Sequence, residues 1–298
     1  MIWWLINLLL LLSVVCGDNP TAIVPAGIAP DPGYIVAESD AGLSNRLRVL
    51  AAYMYVGESR FEGAHLVFIW DVNSACPGHF LEIFQPIPNV MFATNSSRYT
   101  VDKHSKINYE NSWAVLHWTL QMNNIPKSKF GQPSWGQIEH NMYRKFVPTP
   151  RIAAKVKEFV QKHNVCNIAS MHLRLTDLED QIKQSKKAHR GINVEAYFSF
   201  VESHEKVYLL TDNPGTQKLF LDKFPDKILV YNRIDESKNK ESSGKPVDFR
   251  YTSLEHTLID VLIAAHSKNF KPSLYSSLSD LVRNFHSIGR HDWNWCSS

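Results

Sequence analysis

Apolar and polar positions alternate along the chain in blocks that predict strands followed by helices. In the first half, apolar runs typical of buried strands occupy residues 34–40, 65–71 and 89–93. Between the first two runs, apolar residues recur at the spacing of one helix face over 43–54, and residues 78–84 suit a short helix. Strands that alternate with helices form parallel sheets, so this half predicts a small parallel α/β layer.

The same alternation returns after residue 150. Apolar runs predict further strands at 168–171, 206–212, 227–231 and 269–273. Helical spacing predicts helices at 151–163, 193–203, 214–222, 253–266 and 276–285, with Asn193 as the N-cap of the second. This half therefore predicts a second parallel, Rossmann-like layer.

The stretch between the two layers has a different pattern. Residues 94–147 lack a clean period and predict irregular loops with one or two helices. The VPTP segment at 147–150 contains two prolines and marks a junction between the halves. The pattern divides the folded chain into an N-terminal domain over residues 34–149 and a C-terminal domain over residues 150–298.

Residues 1–17 form an apolar segment that predicts entry into the secretory pathway. The segment is shorter than the roughly 20 residues of a membrane-spanning helix and suits a signal peptide. It is interpreted as a cleaved signal peptide or an uncleaved short anchor, followed by a proline-rich linker over 18–33. Asn95 begins an N-glycosylation sequon, which agrees with a location in the lumen of the endoplasmic reticulum or Golgi, or with secretion.

The composition is that of a globular protein without a general affinity for nucleic acid. Apolar residues make up 44% of the chain, charged residues 20%, and the net charge is +3. Beyond the N-terminal segment the cysteines are Cys76, Cys166 and Cys296. An oxidising compartment would permit one disulfide among them, and the sequence leaves the pairing open.

Several kinds of chemistry are disfavoured because their motifs are missing. The chain has no C-x-x-C pair and no H-E-x-x-H, so no metal site is predicted. It also lacks G-x-S-x-G, a Walker lysine loop and G-x-G-x-x-G. These absences argue against a serine hydrolase, a P-loop NTPase and a dehydrogenase.

Polar side chains cluster where three predicted strands end, at residues 37–48, 171–177 and 209–215. Open α/β sheets bind their ligands at such strand ends. Arg174, in the second cluster, is able to bind a phosphate through two parallel hydrogen bonds. The alternative is a surface ion pair between Arg174 and Asp177, three residues apart.

The last two predicted helices add polar residues to these clusters. Asp260 interrupts an apolar helix face, where a carboxylate needs a partner, so a purine-edge contact or a buried salt bridge is expected. Ser276 and Ser277 stand at a helix start, where amides and hydroxyls bind phosphate. A simple N-cap role explains the same serines equally well.

These segments together resemble the fucosyltransferase superfamily, especially the branch of core α-1,6-fucosyltransferases, nodulation fucosyltransferases and protein O-fucosyltransferases. The resemblance rests on GLSNRLR at 42–48, HLRLTD at 172–177 in the pattern H-x-R-x-x-D, VYLLTDNP at 207–214, RYT at 250–252, and YSSLSDL at 275–281. It implies a GT-B-like fold, with two Rossmann-like parallel-sheet domains and a cleft between them. It also implies an inverting, metal-independent transfer of fucose from GDP-fucose to a glycan or protein hydroxyl, without a cofactor.

The resemblance assigns donor-binding roles by position in the C-terminal domain. Arg174 matches the arginine that binds the donor diphosphate, and Asp177 matches the residue that steadies it. His172 matches a contact on the guanine side, and Asp260 matches the carboxylate that reads the guanine edge. The Ser276–Ser277 pair matches the residues that hold phosphate.

Three further residues receive less specific roles from the resemblance. Asn45 and Arg46 belong to the N-terminal motif, which faces donor and acceptor across the cleft. Asp212 matches an aspartate that is structural or lies near the ribose. The membrane is implied as a partner only through the N-terminal segment, if that segment stays uncleaved.

The chain departs from the family at the catalytic base. The α-1,6 branch carries a glutamate shortly after its motif, and that position is Ile182 here. Glu179 or Asp180 is a candidate substitute, as is Asp40 or Asn45 from the first domain. The departure keeps two alternatives open, which are a catalytically silent lumenal protein that binds glycans or nucleotide sugars, and a transferase that uses another nucleotide sugar.

Overall fold

The computed structural model describes residues 34–60, 65–94, 140–174, 193–232, 234, 252–274, 276–293 and 295–296. The predicted N-terminal signal segment, the proline-rich linker and the sequon at Asn95 lie outside these residues. So does most of the irregular stretch predicted at 94–147.

The first half contains a parallel sheet of three strands, as the sequence predicts. Its elements are β1 (Tyr34–Glu38), α1 (Leu43–Arg60), β2 (His65–Ile69), α2 (Phe80–Ile83) and β3 (Val90–Ala93). The strands lie in the order β1-β2-β3, and Ala37 pairs with Phe68, which pairs with Phe92. All three of these side chains are buried on one face of the sheet, which explains why the strands read as apolar runs.

The second half contains a parallel sheet of four strands in the order β6-β5-β4-β7. Its elements are α3 (Pro150–Lys162), a 3₁₀ turn (Val165–Asn167), β4 (Ala169–His172), α4 (Val194–Glu202), β5 (Val207–Leu210), α5 (Pro214–Lys223), β6 (Ile228–Leu229), α6 (Leu254–His266), β7 (Asn269–Lys271), α7 (Ser277–Ile288) and a final turn (Gly289–Trp293). The predicted N-cap is confirmed, because Asn193 Oδ1 accepts a hydrogen bond from the Ala196 amide at 3.3 Å.

One cluster of buried apolar side chains joins the two halves. It includes Ala37 in β1, most of the buried residues of α1, and the inward faces of α6 and α7. Phe84, just after α2, lies 6.5 Å from the ring of Phe285 in α7. A shared core of this kind fixes the carboxyl ends of the two sheets relative to each other.

The predicted junction at 147–150 is held against the first half by backbone hydrogen bonds. The Gln85 amide donates to the Val147 carbonyl at 2.8 Å, and the Thr149 amide donates to the Ile83 carbonyl at 3.0 Å. The chain therefore enters α3 from a fixed point beside α2.

The structure settles the disulfide pairing that the sequence left open. Cys166 and Cys296 form the disulfide, with their Cα atoms 5.7 Å apart, and Cys76 is buried and takes no part in it. The bond joins the C-terminal tail to the 3₁₀ turn that precedes β4. Trp293 and Trp295 lie in the same tail and stack with each other at 5.1 Å.

Among the described residues, no helix is both long and apolar enough to cross a membrane.

Candidate functional site

A cleft opens where the carboxyl ends of the two sheets face each other. It is lined from the first half by Gly42, Leu43, Ser44 and Asn45, and from the second half by His172, Arg174, Leu210, Thr211, Asp212, Thr252, Thr257, Asp260, Ser277 and Leu278. Six residues predicted from the sequence therefore meet in one place, namely Asn45, His172, Arg174, Asp212, Asp260 and Ser277. The site lies where parallel α/β sheets place their ligands.

His172 and Arg174 reach the cleft from the end of β4. His172 is buried, and its Nδ1 lies 2.8 Å from Ser279 Oγ, which also accepts a hydrogen bond from the Ser273 amide at 2.9 Å. Burial, and secondarily the charge of Arg174, lowers the pKa of His172 to about 3. His172 is therefore a neutral hydrogen-bonding group at physiological pH, and the positive charge of this pair resides on Arg174.

The backbone at Arg174 is fixed while its side chain lines the cleft. Its amide donates to Ser273 Oγ at 3.3 Å, which connects the loop after β4 to the loop after β7. Because a guanidinium is always charged and has several N–H donors, this position suits an anion such as a diphosphate.

Asp260 is a buried carboxylate on the cleft wall. It receives a hydrogen bond from the hydroxyl of Tyr208 at Oδ1, and His256 Nε2 lies 3.4 Å from its Oδ2. Burial raises the pKa of Asp260 to about 6, although His256 and the Tyr208 hydroxyl both act to lower it. The sequence predicts either a purine contact or a buried salt bridge for Asp260. In the structure its carboxylate contacts Tyr208 and His256 and also lines the cleft.

Arg46 is buried and is not among the residues that line the cleft. Its side chain is fully buried, its Nε donates to the Ala41 carbonyl at 2.5 Å, and its Nη1 donates to the Asp71 carbonyl at 2.6 Å. The guanidinium also stacks over Trp70 at 5.0 Å. In this placement the guanidinium connects the loops after β1 and β2, and the donor-binding role of Arg46 stays a prediction.

The two serines at the start of α7 differ in their surroundings. Ser277 lines the cleft, whereas Ser276 occupies the N-cap position and is buried. Among the described residues, Ser276 Oγ has no hydrogen-bond partner and does not cap the helix. The start of α7, a 12-residue helix, is suited to bind phosphate through its backbone amides and the Ser276 hydroxyl.

Sequence reasoning missed several residues of the cleft wall. Thr257 lies one turn before Asp260 on α6, and its Oγ1 is 3.1 Å from Oγ1 of Thr252. Thr257 could have been found from the sequence, because it lies three residues before Asp260 and so shares its face of the helix. Thr252 belongs to the RYT segment that was recognised only as part of a motif.

Three predicted residues, Asp177, Glu179 and Asp180, lie outside the described part of the chain. The described residues contain no group of three or more histidine, cysteine or acidic side chains arranged to hold a metal ion.

No protein-family model matches this sequence, and no curated protein does. Solved structures match it in fold. NodZ α-1,6-fucosyltransferase co-crystallised with GDP is 15% identical, with 84% of this chain and 91% of that chain covered and a TM-score of 0.51. Fucosyltransferase NodZ from Bradyrhizobium is 15% identical, with 84% and 92% covered and a TM-score of 0.49. POFUT1 in complex with GDP-fucose is 12% identical, with 86% and 95% covered and a TM-score of 0.47.

The comparison with the GDP complex of NodZ confirms the predicted fold. The chain has the GT-B-like arrangement of that fucosyltransferase, with two parallel α/β layers. The predicted resemblance to fucosyltransferases is thereby confirmed at the level of the fold. Because one fold supports many functions, the activity has to be argued from the cleft.

Proposed function

We propose that the chain is an inverting glycosyltransferase that transfers fucose from GDP-fucose to a hydroxyl of a glycan or protein. The observation that carries the proposal is the meeting of Arg174, Asp260 and the start of α7 in one cleft. A cation, a buried carboxylate and a helix N-terminus match the diphosphate and the guanine of such a donor. The fold shared with NodZ supports the proposal.

The proposed donor lies with its guanine at α6 and its diphosphate between the end of β4 and the start of α7. The guanine would reach Asp260, whose carboxylate accepts hydrogen bonds from two adjacent N–H groups of the base. The diphosphate would lie between Arg174 and Ser277. The chain itself thus provides positive charge for the leaving diphosphate, from the guanidinium and from the amides at the start of α7.

The proposed reaction is a single displacement at C1 of fucose. The acceptor oxygen forms a bond to C1 on the face opposite the nucleotide, and the bond between C1 and the β-phosphate oxygen breaks. The electron pair stays with GDP, where Arg174 stabilises the added negative charge. The proton of the acceptor hydroxyl passes to a base, for which Glu179 remains the prediction, while Asn45 faces the donor from the first half.

The proposal also assigns a partner to each half of the chain and a cellular location to the protein. Residues 34–149 would contact the acceptor and residues 150–298 the nucleotide sugar. The apolar segment at 1–17 supports a location in the secretory pathway, where donor and acceptor would be present.

GDP binding should weaken below about pH 6, since the pKa of Asp260 is about 6 and only the carboxylate accepts both N–H groups of guanine. The affinity for GDP, measured by calorimetry, is expected to fall up to about tenfold per pH unit below that value.

The free energy of unfolding of the nucleotide-free protein should change with pH in the opposite sense. Because burial raises the pKa of the folded-state carboxyl, its contribution favours the folded state at low pH and is lost as the pH rises through about 6.

Asp260→Asn provides the matched control for this titration. The amide keeps an oxygen that accepts from the N1–H of a purine, but its NH₂ group repels the 2-amino group of guanine. The variant should bind GDP weakly and lose the part of the pH dependence that Asp260 contributes. It should prefer xanthosine diphosphate, which carries an oxygen in place of the 2-amino group. Equal affinity of the variant and the wild type for GDP at neutral pH would remove Asp260 from the base site.

The proposed activity is tested by a transfer assay on the full chain with GDP-fucose and a panel of glycan and peptide acceptors. Formation of a fucosylated product together with GDP is the expected result. GDP binding without transfer to any acceptor would favour the catalytically silent alternative. Transfer from another nucleotide sugar in preference to GDP-fucose would overturn the donor assignment.

A further inference from the structure

An ion pair connects the two walls of the cleft behind the ligand-facing residues. Arg48 on α1 places its Nη2 2.5 Å from Oδ2 of Asp280 on α7, and the two residues are 232 positions apart in the chain. The Arg48 side chain is only 11% exposed and that of Asp280 is 38% exposed. Partial burial of this kind strengthens an ion pair relative to one at the open surface.

Each partner lies one helical turn from a residue of the cleft. Arg48 follows Asn45 by three positions on α1, and Asp280 follows Ser277 by three positions on α7. Side chains three apart lie on the same side of a helix. The ion pair therefore connects the start of α1, which places Asn45 in the cleft, to the start of α7, which places Ser277 there.

The same arginine also contacts Asn45 directly. While Nη2 contacts Asp280, Nη1 of Arg48 donates to Oδ1 of Asn45 at 3.5 Å. With its oxygen engaged in this way, the Asn45 amide presents its NH₂ group as the donor for other partners. Neither Arg48 nor Asp280 lines the cleft, so both act through the residues that do.

We propose that the Arg48–Asp280 ion pair is a positioning element that sets the distance between Asn45 and the start of α7, so that both walls contact the same bound nucleotide sugar. The inference rests on the proposed function, because it assumes that the ligand lies between these walls. It assigns roles to two residues outside the binding surface. Asp280 also has a second cationic neighbour, Arg283, whose Nη1 lies 3.4 Å from its Oδ1 within the same helix.

Arg283 supplies a matched control, because it contacts the same carboxylate without connecting the two halves. Arg48→Met and Asp280→Asn each remove the connection, and the double variant completes a mutant cycle. Each single change is expected to weaken GDP binding by about 3- to 10-fold, and the double variant should be no worse than Arg48→Met alone. Arg283→Met should stay within about 2-fold of the wild type, because exposed pairs within a helix contribute little.

Arg48→Lys separates the two contacts of the arginine. A single ammonium group still pairs with Asp280 but does not reach Asn45 at the same time. This variant is expected to keep GDP affinity within about 2-fold of the wild type and to lower kcat for transfer by about 10-fold. A role in folding alone would lower the melting temperature of all Arg48 variants without separating affinity from rate.

The measurements are calorimetric GDP titrations, melting temperatures and transfer rates on the full chain. Additive losses in the cycle, or equal losses for Arg48→Met and Arg283→Met, would overturn the inference and leave the proposed function standing. If the wild type prefers UDP, the proposed donor is wrong, and the same cycle is run with UDP against the same expectations. A wild type that binds neither nucleotide overturns the proposed function and the inference with it.

Discussion

Replacing Arg174 by alanine is expected to lower kcat/KM for transfer from GDP-fucose by about 10²- to 10³-fold, the usual effect of removing a charged donor from a developing anion. Arg174 lines the cleft at the end of β4, and its backbone is held by Ser273. The loss should appear mainly in kcat, because negative charge increases on the β-phosphate as the bond to fucose breaks. Initial rates at several donor concentrations measure the effect.

Two further variants show whether the loss comes from the cleft. Arg174→Lys keeps one positive charge but loses the paired N–H donors, so intermediate activity is expected. Arg144→Ala removes an exposed arginine that pairs with Asp292 and does not line the cleft, and it should leave the rate unchanged. Full activity in Arg174→Ala would exclude the proposed stabilisation of the leaving group.

The second large effect concerns stability. Replacing Cys166 and Cys296 by serine is expected to lower the free energy of unfolding by about 2–5 kcal/mol, since the bond closes a long loop in the unfolded chain. The sequence separation of the two cysteines is 130 residues. Urea unfolding, followed by tryptophan fluorescence, measures the change.

Cys76→Ala is the control for that experiment. Cys76 is buried and has no part in the disulfide, so its substitution by a small apolar residue should cost much less than the loss of the bond. A reducing agent should destabilise the wild type and Cys76→Ala alike, and should leave the double serine variant unchanged. Equal stability of the wild type in oxidising and reducing buffer would contradict the expected contribution of the bond.

The fold followed from local patterns to a large extent, because parallel strands buried on both faces leave continuous apolar runs in the sequence. The strand that carries His172 was predicted at 168–171 and lies at Ala169–His172. The N-cap of α4 is predictable at Asn193 because its side-chain oxygen accepts a hydrogen bond from the backbone amide of Ala196, only three residues further on. Both features depend on residues within a few positions of each other.

Features that depend on distant contacts were less predictable. Nothing local to Arg46 shows that its guanidinium points inward, because the two carbonyls it contacts come from loops after different strands. The choice of Cys166 and Cys296 likewise requires knowledge of where the tail returns to the second sheet. The ion pair of Arg48 with Asp280 joins helices from opposite halves, so no spacing rule reveals it.

In the candidate site, too, some residues are predictable from local sequence and others only from the three-dimensional fold. Asp260 was found because a carboxylate on an apolar helix face breaks the pattern, and the structure supplies Tyr208 and His256 as its partners. Thr252 and Thr257 break no pattern, since threonine is common on helix ends and loops. Their place in the cleft follows only from the three-dimensional fold.

The central claim is that the cleft binds a guanine nucleotide, and the most direct test is calorimetric titration of the full chain with GDP and with UDP at neutral pH. GDP is expected to bind about 100-fold more tightly than UDP, because guanine offers Asp260 two adjacent N–H donors and uracil offers only one. Equal or tighter binding of UDP would contradict it.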